Sequence, residues 1–148
     1  MKITYRRVYH DYHILEKLEA GIHLTGPEVK SVKGGHMSLE GAFVKIVGSE
    51  AYLVNAQIHP YPHARPPAGG YDPRRTRKLL LHKKEIIALK SRTQQGSLTL
   101  VPLSCYTKQG LVKLEIALAR GKKKYEKRDA LKRQDLEREL EEELRGKV

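Results

Sequence analysis

The sequence predicts a mainly β fold, a small closed barrel with two flanking helices and a flexible, helix-prone C-terminal tail. Three observations carry that expectation. Six short runs rich in β-branched and aromatic residues fill the first two thirds of the chain, divided by turn-forming residues. Two pairs of these runs are joined by tight, Gly-containing connections. After Leu118 the composition changes abruptly from strand-forming to charged and helix-forming.

The runs are Val8 to Leu15, Gly21 to Leu24, Ala42 to Val47, Ala51 to Ile58, Ser97 to Tyr106 and Leu111 to Leu118. Gly48-Ser49-Glu50 and Thr107-Lys108-Gln109-Gly110 read as hairpin connections. About six short strands suit a closed barrel better than an open sheet with long exposed edges. Pro27, after Thr25-Gly26, opens a short helix through Val32 that Gly34-Gly35 ends. A second helix is expected from about Lys83 to Thr93, with Ile86, Ile87, Leu89 and Leu79 as its apolar side. Between hairpin and helix, Pro60 to Pro73 holds five prolines and Gly69-Gly70, the composition of a surface loop or a ligand contact.

Residues 1–120 form the expected barrel domain, and 121–148 a basic-to-acidic tail. The tail opens with Gly121-Lys122-Lys123-Lys124-Tyr125-Glu126-Lys127-Arg128 and continues from Asp129 to Arg145 without Gly, Pro or β-branched residues. Leu136, Leu140 and Leu144 recur every fourth residue, a stripe too narrow to fill a core. Such a segment orders only when something docks it.

Charge narrows the function classes. With 29 Lys+Arg against 17 Asp+Glu, the formal net charge is +12, which points to a polyanionic partner. The single cysteine, Cys105, permits no internal disulfide and reads as a small buried hydrophobe. No apolar run approaches the ~20 residues of a membrane span, and the N-terminus lacks a signal-peptide stretch, so a cytosolic location is expected.

Catalytic chemistry finds little support. His10 and His13, read as strand neighbours three apart, would face opposite sides, and His59 and His63 lack further ligands at a useful spacing. Asp11 and Glu19 have no evident nucleophile or oxyanion hole beside them. No metal, cofactor or catalytic residue is therefore expected.

Nucleic-acid signals are stronger. Arg74, Arg75, Arg77 and Lys78 place four cations in five positions, suited to phosphate forks and base stacking; the bland reading is a solvated basic face. Tyr9, Tyr12, Phe43 and Tyr52 lie in the expected strands and Tyr61 and Tyr71 in the loop, where some could stack unpaired bases and others fill the core.

Taken in order, five stretches closely resemble the SmpB family, whose members bind transfer-messenger RNA (tmRNA) and rescue stalled bacterial ribosomes. They are Tyr9-His10-Asp11-Tyr12, Leu18 to Ile22, Leu24 to Ser31, Asp72 to Lys83 and Gly121 to Arg128. The resemblance implies an oligonucleotide-binding-like closed Greek-key barrel with no cofactor. It places the RNA-facing patch on His10, Tyr12, Glu19, Phe43, Leu80 and His82, beside Arg74, Arg75, Arg77 and Lys78. Phe43 stands where tyrosine is frequent in the family, and His82 where some members have asparagine. Glu19 would accept from base amino groups or ribose hydroxyls; an ion pair steadying the turn before Gly21 is the competing role.

The resemblance also assigns Lys122, Lys123, Lys124, Tyr125, Lys127 and Arg128 to a tail that enters the vacant mRNA channel and meets the decoding centre. Tyr125 stands where some members have histidine. Glu137, Glu139 and Glu141 to Glu143 make the distal tail more acidic than the family pattern. The implied partners are tmRNA, the ribosome and, indirectly, the GTP-bound elongation factor that delivers aminoacylated RNA. The competing classes are a general single-strand nucleic-acid-binding barrel and an RNA-processing enzyme.

Overall fold

The computed structural model describes residues 1–94, 96, 98–122 and 138. Its described elements are β1 (Lys2–Thr4), α1 (Val8–Asp11), β2 (Tyr12–Ile22), α2 (Gly26–Lys33), β3 (Met37–Ser38), β4 (Phe43–Val47), β5 (Glu50–Val54), β6 (Gln57–Ile58), β7 (Arg77–Leu80), α3 (Lys83–Gln94), β8 (Leu98–Lys108) and β9 (Leu111–Gly121).

The main sheet runs β1-β8-β4-β5-β7-β2-β9, and β9 pairs back onto β8. Six strands therefore close a ring, with β1 added outside on β8. Closure removes the long free edges that a sheet of this composition would otherwise expose. A separate β3–β6 pair completes the strands.

Both hairpins form, each for a visible backbone reason. Val47 pairs with Glu50 across Gly48-Ser49, with Gly48 at φ 62. Lys108 pairs with Leu111 across Gln109-Gly110, both at positive φ (53 and 77), the turn that matches strand twist. Pro102 lies inside β8, where it is tolerated at a bulge before Ser104.

Strand alternation fills the barrel. Ala20, Ile22, Val44, Leu53, Leu79, Leu100, Leu114, Ile116 and Leu118 belong to one buried cluster. Cys105 joins them, fully buried, and burial pushes its thiol up to about 12. Outside the ring, Val8 of α1 packs with Val101, Leu103, Ala117 and Ala119 in a second cluster. The β8–β9 hairpin is thus covered on both faces.

Several boundaries differ from expectation. Val8 to Asp11 is helical, and the strand beginning at Tyr12 runs unbroken to Ile22, with a bulge between Ile14 and Glu16. The predicted run Ala51 to Ile58 divides at Asn55, whose φ is 66. Arg77 and Lys78, read as the end of a charge run, open a ring strand that extends to Leu80, and Leu79 belongs to it rather than to α3. Strand pairing also continues through Gly121, one residue past the expected domain boundary.

Candidate nucleic-acid interface

The outer face of β2, β7 and β9 carries a groove of about 720 Å³, bounded at one end by the start of α3. Alternation decides what enters it. On β7, Arg77 and Leu79 are buried while Lys78 and Leu80 face outward. On β2, Ala20 and Ile22 turn into the barrel and Glu19 turns out.

Gly21 pairs with Leu80, and a Cβ at Gly21 would stand 3.1 Å from the Leu80 Cβ. The missing side chain lets Leu80, 54% exposed, lie close over β2. His82 precedes α3, where its backbone N–H donates to Glu85 Oε1 at 3.1 Å and completes half a capping box. Glu19, Lys78, Leu80 and His82 thereby line one groove, with Lys83 and Lys113 as added cations.

Glu19 is exposed yet organised. Its carboxylate accepts from the Tyr106 hydroxyl, and Lys108 Nζ lies 3.6 Å away. The Tyr106 hydrogen bond, then the positive charges of Lys108 and Lys113, hold this carboxyl below its usual range. Burial and the neighbouring Glu19 charge push the Tyr106 hydroxyl up to about 12, so it remains a donor. A fixed anionic acceptor stands beside Lys108 and Lys113, while Lys78 pairs with Glu50 at 3.0 Å, an arrangement suited to reading hydrogen-bond donors on a polyanion that the remaining lysine charge attracts.

The other expected RNA-facing residues lie elsewhere. His10 sits on α1, half-buried, with Nδ1 3.1 Å from Asp11 Oδ1. Because His10 lies on α1 and His13 on β2, the shared-strand geometry expected for that pair does not hold. Tyr12 packs against the second apolar cluster. Phe43, 43% exposed, opens β4 opposite Val54. Arg74 is exposed and donates to Asn55 Oδ1 at 3.1 Å.

The arginine run needs correction, for it is not one solvent-facing cluster. Arg77 is fully buried: Nε and Nη2 donate to Glu28 Oε2 at 3.0 and 2.8 Å, and Nη1 donates to the Ala56 carbonyl at 2.7 Å. Arg75 also binds Glu28, through Nε at 3.1 Å and through Nη2. In this fold Arg77 has no surface to offer RNA, and much of Arg75 serves the interior. Burial alone would raise the Glu28 carboxyl; Arg75, the Thr25 N–H and Arg77 together hold it at about 2.

Lys122 meets α1: its N–H donates to the Asp11 carbonyl at 2.8 Å and its Nζ to the Tyr9 carbonyl at 3.0 Å. The expected tail contacts Lys123, Lys124, Tyr125, Lys127 and Arg128 lie outside the described residues. Tyr106, Lys108 and Lys113 escaped the reading of the sequence. Alternation in Lys113-Leu114-Glu115-Ile116 was a signal for Lys113, whereas Tyr106 meets Glu19 only through strand pairing across β9.

Among the described residues, no group of three His, Cys, Asp or Glu could hold a metal, and no helix is long and apolar enough to cross a membrane. The family described as "SmpB protein" matches residues 2–146. An SsrA-binding protein of Sulfurihydrogenibium sp. (strain YO3AOP1) is 53% identical over 146 residues, covering 98% of this chain and 94% of that protein. One of Persephonella marina (strain DSM 14350 / EX-H1) is 48% identical over 145 residues, with coverage of 98% and 94%. A solved structure described as "tmRNA-SmpB: a journey to the center of the bacterial ribosome" matches with a TM-score of 0.69 and 43% identity. It covers 88% of this chain and 94% of that one. With the family match spanning nearly its whole length, the chain belongs to the SmpB family.

Proposed function

We propose that this protein binds tmRNA through the β2–β7–β9 groove and enables trans-translation, rescuing stalled ribosomes in the cytoplasm. The observation that carries the reading is the meeting of Glu19, Leu80, His82 and Lys78 in one groove on a chain of formal charge +12. The names of its relatives, SsrA-binding proteins, support the same partner. The likeness to a chain described with tmRNA and the bacterial ribosome supports the second.

The mechanism is one of binding, with no bond made or broken by the protein. The barrel grips the folded RNA and substitutes for its missing anticodon arm. Lys123, Lys124, Tyr125, Lys127 and Arg128 lead the tail into the vacant mRNA channel and the decoding centre. The GTP-bound elongation factor delivers the aminoacylated RNA.

Deleting the residues after Arg128 tests the separation of these two tasks. The truncated protein is expected to bind tmRNA normally and to fail in tagging on stalled ribosomes. Loss of RNA binding on truncation would sink the two-surface reading. Unstructured oligonucleotides that outcompete folded tmRNA would instead favour a general single-strand binder.

A further inference from the structure

We propose that a second, separate pocket, formed between the proline-rich loop and α2, binds one unpaired RNA nucleotide. The pocket measures about 790 Å³, within the size range of about 300–1,000 Å³ usual for small-ligand sites. Pro27 of α2 and Pro66, Pro67, Tyr61 and Tyr71 of the loop supply flat or rigid walls, and Arg65 supplies a cation. None of these residues lines the Glu19 groove.

The loop is held in place without a ligand. Tyr71 is within hydrogen-bond reach of Glu28 Oε2 at 3.1 Å and the Ile58 carbonyl at 3.0 Å, tying the loop to α2 and β6. Gly70 N–H donates to the Pro67 carbonyl at 2.9 Å, and Ala64 N–H to the Tyr61 carbonyl at 3.1 Å. Five prolines between positions 60 and 73 further restrict the backbone, so little ordering entropy is left to lose on binding.

The surroundings define the ligand class. Tyrosine and proline faces accept a planar base, which stacks without regard to sequence. Lys30 Nζ lies over the Tyr61 ring, 5.4 Å from its centroid, and Arg65 in the lining supplies the cation for the accompanying phosphate. Of the two acids in the lining, Glu28 is matched by Arg75 and Arg77, and Asp72 accepts from the Arg74 N–H at 2.9 Å. An apolar peptide would use the walls but not the Arg65 guanidinium, whereas a nucleotide uses both.

The probe is a single-stranded RNA hexamer carrying one 4-thiouridine, crosslinked to the full-length protein and mapped by mass spectrometry, with affinity measured by fluorescence anisotropy. The hexamer is expected to crosslink within residues 60–71. Tyr61→Ala should weaken it about tenfold, in line with loss of one base stack, while Tyr61→Phe retains binding. Arg65→Glu should also weaken it, and Glu19→Ala should leave hexamer binding unchanged while lowering tmRNA affinity. Hexamer binding that persists when tmRNA binding is absent would separate this site from the groove. Crosslinks confined to other segments, unchanged affinity in Tyr61→Ala, or displacement by an uncharged proline-rich peptide would overturn the assignment.

Discussion

Glu19 and Glu28 are both held below the ordinary carboxylate range, but by opposite surroundings. Glu28 is buried against two arginines, whereas Glu19 is exposed beneath a tyrosine hydroxyl. Glu28 is a stability residue, and Glu28→Gln leaves Arg77 buried without its anion, at a cost of about 3–5 kcal/mol in chemical denaturation at neutral pH. Its carboxyl shifts from an ordinary 4.5 to about 2, which favours the folded state by about 3 kcal/mol. That contribution is complete above about pH 4.5 and fades as pH falls toward 2. Wild type should lose it across that window, and the Gln variant should show no matching drop.

On the proposed reading, Tyr106 acts on RNA only through the Glu19 carboxylate that it holds. Tyr106→Phe is expected to weaken tmRNA binding about fivefold with little change in stability, and to add nothing in a Glu19→Ala background. Filter binding of both single variants and the double variant reads this out; additive losses would give Tyr106 its own RNA contact. Glu19 was visible in the sequence because it stands in a recognisable stretch. The inward turn of Arg77 was not, since a run of cations does not disclose which one meets a buried acid 49 positions away.

Elements with local signals were legible. The Gly-containing hairpins, the Pro27 helix start and the alternation in β9 all depend on neighbours in the chain. Elements imposed by tertiary packing were not. Val8-Tyr9-His10-Asp11 has strand-like composition, and four residues are too few to display a helical period. Burial of Val8 against β8 and β9 and the bonds from Lys122 hold this turn in place. Val8→Ala should therefore cost about 2 kcal/mol, and hydrogen exchange should rise in α1 while the β8–β9 hairpin stays protected. Equal loss of protection in both would mean that α1 and the hairpin open as one unit. In β7 the charged pair Arg77-Lys78 masked the alternation, because one is buried and the other faces outward.

Over the whole molecule, ring closure turns separated stretches of sequence into one face. Positions 19, 78, 80, 82 and 113 become neighbours because β2 pairs with both β7 and β9. Positions 19, 78, 80 and 82 stand in the stretches that resemble the family, whereas Tyr106, Lys108 and Lys113 are brought beside them by strand register. On the proposed reading, lysines around the groove supply affinity that falls with salt and Glu19 supplies discrimination, so selectivity rather than tightness is expected to mark the face. Filter binding of tmRNA and of ordinary tRNA under the same low salt, with wild type and Glu19→Ala, tests this most directly. A preference of at least about tenfold for tmRNA that shrinks in Glu19→Ala is predicted. Equal affinity for the two RNAs, or a preference untouched by the substitution, would contradict the assignment of this groove to tmRNA.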